Sequence, residues 1–419
     1  MKPDLDLSEL SGAPSGSNMP RAASAMVESD SWRMALDLAI HQVMTADDPA
    51  PDVVLLFASP VFSDSFSQLI GETRERTGAG TLLGCAASGF LANGHEVEDR
   101  PGLALMALWL PGATLHPIRL HQEHVSLLQD RESWITATGT TPDLINAWLL
   151  IAEPYRIDVQ AVIQGVAQLH PGCAIMGGLS SGNAQERRSW VFFDDQVYDE
   201  GGVALAIGGP YQLLPFVSQG CGPIGETWTI TNTDRNALLS ISNRTVLEVL
   251  RDTLESLPES QRHHATSRLV VGFAVDEYRD EFHRGDFVVR GVIGIDQKRG
   301  AIIVGGMPRI GQTIQFHLRE ACTADVDLHQ TLADARAITS DRSLVAGILC
   351  TCNGRGADLF NTPNHDAAAV QAAFGEDLPV AGLFCAGEIG PLAKRTVLHG
   401  FSSTLGLLVH DPPDGSPSK

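Results

Sequence analysis

Two short stretches decide the fold: LLGCAASG at residues 82–89 and GLFCAGEIG at residues 382–390. Each runs from an apolar stretch into small residues and glycine, as a buried strand does where it emerges into a turn. Working outward, each closes a strand–helix–strand unit. Before the first, DVVLLFAS (52–59) is the continuous apolar run of a strand buried on both faces, and SQLIGETRERTGAG (67–80) is a helix closed by glycines. Before the second, SLVAGILCTCNGRG (343–356) is a strand with a glycine-rich exit, and HDAAAVQAAFG (365–375) is a helix ended by glycine. Their likeness predicts two related lobes.

Each lobe also carries meander-like strands. WVFFDDQVYDEGGVALAIGG (190–209) reads as strand, Asp-Asp turn, short strand, Gly-Gly break and strand. Residues 285–320 repeat the plan, with turns at DQKRG and MPRIG. Strand–helix–strand units mixed with antiparallel hairpins predict an α+β protein whose two related lobes have mixed β-sheets flanked by helices. The polar stretch TNTDRNALLSISNRTVLEVL (231–250) places the boundary between domains at 32–235 and 236–410. Residues 1–31 and 411–419, rich in Ser, Pro and Gly without apolar periodicity, are expected to be disordered tails.

A chain of 419 residues exceeds the roughly 250 to 300 at which one core stops growing, which fits two domains. With 29 basic and 50 acidic side chains the formal net charge is -21, a field that repels nucleic acid and anionic membrane surfaces. No secretory signal or long apolar span is present in the sequence, so a cytoplasmic protein is expected. Seven cysteines at irregular spacing read as buried free thiols. The C-x-C of Cys350 and Cys352 lacks companion ligands at metal-site spacing, and the HQEH of residues 121–124, between a strand-like and a helical stretch, reads as a solvated turn, so no metal site is expected. No phosphate-cradling motif and no cofactor site stand out.

GLSSG (178–182) matches the G-x-S-x-G nucleophile elbow at Ser180. The polar loop NAQERRSW after it supplies no helix N-terminus, which argues against a hydrolase. The strand ends GCAASG, MGGLSSGN, CTCNGRG and CAGEIGP share another chemistry: glycines admit close approach, and Ser88, Ser180, Ser181, Asn353, Arg355 and Glu388, with His399 just downstream, add polar groups. An arginine facing a carboxylate and a glutamate facing an amine would suit an amino acid. The alternative is that Arg355 and Glu388 pair with each other or face water.

GCAASG, GGLSSGN, VFFDDQVYDEGGVALAIGG, GCGPIGETWTIT, FVVRGVIGID, CNGRG, FCAGEIGP and LHGFSSTLGLL occur in this order and together resemble the FIST family, with paired FIST N and FIST C domains over about residues 33–410. The resemblance implies a sensory module in signal transduction that binds a small ligand, amino acids among the candidates. It puts Glu388, Arg355, Cys85 and Ser88 first among the ligand-binding residues. Many relatives are fused to output domains, for which both tails here are too short. The expectation is a stand-alone, non-enzymatic sensor signalling through a protein partner. The rivals are an interaction scaffold or substrate adaptor without a small ligand, and a serine or cysteine hydrolase.

Overall fold

The computed structural model describes residues 19–411 except 129, 141, 280 and 284. One sheet plan occurs three times in it. In the first unit the edge strand Arg21–Glu28 lies antiparallel to Gly102–Trp109, which lies antiparallel to Val53–Ala58, itself parallel to Thr81–Ala86. The second unit repeats this with Thr114–Leu120, Gly202–Gly208, Ile145–Ala152 and Ala174–Leu179. The third does so with Tyr211–Gln219, Ser402–His410, Ser343–Cys352 and Val380–Cys385. The class is α+β with mixed sheets and helices, and the two units legible in the sequence are joined by a third of the same plan.

Each sheet is completed by a hairpin from another unit. The second unit's hairpin, Val191–Phe193 and Gln196–Tyr198, pairs with the first sheet through Val191 and Cys85. The third unit's hairpin, Glu388–Leu392 and Arg395–His399, pairs with the second sheet through Glu388 and Gly178. The first unit's hairpin, Gly89–Ala92 and His95–Glu98, pairs with the third sheet through Phe90 and Leu383. The exchange closes a cycle. Alternate residues of the three central strands, among them Leu55, Leu149 and Ile348, then share one core.

Three glycines hold equivalent places. A Cβ on Gly84, Gly177 or Gly382 would stand 1.9, 1.8 or 1.8 Å from the carbonyl oxygen of Leu56, Leu150 or Leu349 on the adjacent parallel strand. The absent side chain is what lets each pair of strands close.

The third unit is interrupted between Tyr211–Gln219 and the helix Ala321–Ile338. The intervening residues form a seven-stranded sheet with its own core, including Ile230, Leu238, Val271 and Phe316. Helix Val246–Glu255 packs there through Val246, Val249 and Leu250, and the capping box of Thr245 and Glu248 fixes its start. The turn at residues 235–236, where the sequence places a change of domain, joins two paired strands of this inserted sheet. Disorder expected over residues 1–31 does not extend past Arg21, because backbone pairing with Gly102–Trp109 supplies what side-chain periodicity did not announce. The rest of that tail up to residue 18, and 412–419, lie outside the described residues.

Candidate functional site

The three strand exits converge, and they bring one predicted residue from each unit together. Ser88 donates from its backbone N–H to Ser181 Oγ at 2.8 Å, and the Ser88 hydroxyl lies 3.1 Å from the same oxygen and 3.2 Å from Asn353 Oδ1. Ser181 donates onward to the carbonyl of Phe384 at 2.6 Å, and the Asn353 N–H meets the Cys385 carbonyl at 2.9 Å. This network ties the units together at their junction. Cys85 lies below it in the shared core, its thiol pushed well above its usual range by burial and by Cys350. Ser180 is fully buried and accepts from the Ser189 hydroxyl at 2.8 Å; no helix follows it, as its sequence context predicted.

Arg355, Glu388 and His399 form a second, deeper cluster. Arg355 binds Asp366 through two nitrogens, Nε to Oδ2 at 2.6 Å and Nη2 to Oδ1 at 2.9 Å, while its Nη1 has no hydrogen-bond partner among the described residues. Burial alone would pull the guanidinium down, but Asp366 overrides it and raises it. Asp366 also accepts from Thr351 at 2.7 Å and contacts His365, and it is held below the usual carboxylate range against its own burial. Arg355 therefore neither faces water nor takes Glu388 as its main partner.

Glu388 is equally buried. Its Oε2 accepts from the Ser402 hydroxyl at 2.6 Å and N–H at 3.2 Å, and its Oε1 has no hydrogen-bond partner among the described residues. Burial pushes it up to about 8, with Ser402 and Arg355 opposing. Cys352 accepts from the N–H groups of Gly354 and Phe401, and burial, then Glu388, pushes its thiol up to about 12. His399, directly across the hairpin from Glu388, sits 3.3 Å from the Gly390 carbonyl and is lowered to about 4 by burial. This cluster holds a carboxyl raised by burial, an imidazole lowered by burial and one buried ion pair.

A cleft of about 1320 Å³ opens beside it, walled on one side by helix Val159–Leu169 and the hairpin of residues 388–399, and on the other by the inserted sheet. None of the eight predicted residues lines it. Arg290 links the two regions: it lines the cleft, feels the charge of Glu388, and is lowered to about 10 by burial. Arg290 and Asp366 lie outside the strand-end motifs that the sequence singles out. A lone arginine inside the apolar strand FVVRGVIGID was the available signal for the first, and an acidic residue in the first turn of an alanine-rich helix for the second.

A mycobacterial protein of Mycobacterium bovis, described as uncharacterized, is 33% identical over 368 residues, covering 86% of this chain and 92% of its own. Another, from Mycobacterium tuberculosis and likewise uncharacterized, is 32% identical over 381 residues, covering 91% and 97%. Among solved structures, the cyanuric acid hydrolase of A. caulinodans aligns over 94% of this chain and 100% of its own, at TM-score 0.37 and 9% identity, too remote to say anything of chemistry here. The FIST N domain model matches residues 52–244 and the FIST C domain model residues 247–391, so this chain belongs to the FIST family.

Proposed function

We propose that this chain is a small-ligand sensory protein whose ligand sits in the cleft between the three-unit body and the inserted sheet. The cleft itself carries the reading. Its walls come from two separately packed cores, so an occupant that touches both would bias how they sit, and a partner protein could read that bias. The ligand is a small metabolite, an amino acid being one member of the class, and the setting is the cytoplasm. No helix among the described residues is long and apolar enough to cross a membrane.

The role is binding rather than catalysis. Ser180, Cys85, Cys221 and Cys385, the nucleophile candidates, are all buried, and none has a histidine as hydrogen-bond partner among the described residues. A thermal-shift screen of amino acids and related metabolites tests the reading, because a ligand that binds only the folded state raises its melting temperature. A response abolished by Gly306→Trp, which puts a bulky ring into the cleft beside Arg290, supports it. A flat screen, together with a stoichiometric protein partner indifferent to metabolites, would replace it with the scaffold.

A further inference from the structure

The cleft is charged against the grain of the molecule. In a chain of net charge -21, its lining contains Arg290, Arg309, Lys394 and Arg395 and no aspartate or glutamate. Arg309 reaches Glu277 at 3.8 Å, while Arg290, Lys394 and Arg395 make no ion pair among the described residues. Among the described residues the Arg290 side chain donates to the neighbouring carbonyl of Val289 at 2.9 Å. Burial raises the Glu388 carboxyl beside it, which weakens that group's hold on the arginine's charge. Gathered cations repel one another and focus a positive potential within a cleft, which an anion relieves. Ile163, Phe273, Val288, Met307 and Leu398 give the same lining an apolar share.

We propose that the cleft is a receptor for an organic anion, with Arg290 and the Lys394–Arg395 turn taking its carboxylate or phosphate and the apolar wall taking its body. This rests on the cleft being the ligand site. Arg290 offers a fork of donors suited to either acid group, whereas an ammonium finds no carboxylate in the lining. Of an amino acid's two charges, only one is matched.

Four probes with one body and different heads separate the possibilities: 4-phenylbutyrate, 4-phenylbutyl phosphate, 4-phenylbutanamide and 4-phenylbutylamine, titrated calorimetrically into the full chain in a phosphate-free buffer. The expected result is binding of one or both acids, about tenfold or more weaker binding of the amide, and none of the amine. Whichever acid binds tighter assigns the head group. Lys394 and Arg395 are exposed at a hairpin turn, so Lys394→Glu with Arg395→Glu leaves the melting temperature unchanged and weakens acid binding about tenfold, with the amide unaffected. Equal binding of acid and amide, or indifference of the acids to that double variant, would overturn the anion assignment while leaving a small-ligand cleft standing. Silence from all four, with the unmodified protein equally silent in the metabolite screen, would remove both.

Discussion

Arg355 and Asp366 form a two-pronged ion pair with both side chains at 1% exposure or less, joining the exit of strand Ser343–Cys352 to the first turn of helix His365–Phe374. Removing one partner leaves a charge in a place water cannot reach. Asp366→Ala is expected to destabilise the protein by about 3 to 5 kcal/mol. The double variant Arg355→Met with Asp366→Leu should lose less, since neither charge remains. Urea unfolding of the three proteins checks the order, and a double variant weaker than the single one would contradict it.

Glu388 makes a prediction about pH. Burial lifts it from an ordinary 4.5 to about 8, so between those values the folded state keeps a proton that the unfolded chain has released. Its contribution to stability therefore falls as pH rises through that window; below 4.5 both states hold the proton and the effect disappears. Glu388→Gln, which cannot ionise, is expected to match the wild type at pH 4 and exceed it at pH 8 by about 4 kcal/mol. Unfolding measured across this range should show a gap that widens with pH. A constant gap would mean the carboxyl is charged throughout.

Gly84, Gly177 and Gly382 stand where a methyl group would meet a carbonyl oxygen of the neighbouring strand at under 2 Å. Alanine at any of the three should separate the central strands and cost about 3 kcal/mol or more, or prevent soluble expression. Gly71, in helix Phe66–Thr77 with open space around it, is the contrast: Gly71→Ala should stabilise by about 0.5 to 1 kcal/mol. Melting temperatures of the four variants are the measurement.

The exchanged hairpin of residues 89–98 also holds the starts of two helices in a different unit. Glu98 accepts from the Ala357 N–H at 2.9 Å and Glu96 from the Ala367 N–H at 2.8 Å. Either change to Ala should cost about 1 kcal/mol, as loss of a helix cap does. Hydrogen exchange at Ala357 and Ala367 should speed up in Glu98→Ala and Glu96→Ala respectively, each without the other. Faster exchange spread evenly over the chain would point to general loosening instead.

Much of this was legible locally. The apolar runs at residues 53–58 and 343–352 announced buried strands, glycine marked helix ends at Gly78 and Gly375, and the strand exits announced a place where polar residues meet. Ser88, Ser181 and Asn353 do meet there. The second unit was harder to see because its echo, IMGGLSSG, replaces Cys85 by Gly178 and carries a polar loop after it. The pairing of Arg355 with Asp366 rather than Glu388 was hidden, since an i to i+11 contact across a loop has no sequence period. Arg290 was hidden for a related reason: it belongs to an insertion whose contact with the body is set by chain return, not by spacing.

By itself the sequence determined the elements and their chemistry, because strand and helix periodicity, glycine at close approaches and excess negative charge are properties of neighbouring residues. Tertiary structure alone decided the cyclic exchange of hairpins, which carboxylate Arg355 would take, and the gathering of four cations in one cleft. Those outcomes depend on which distant segments share a low-dielectric space, where a charge's energy is set by whatever surface folding brings against it.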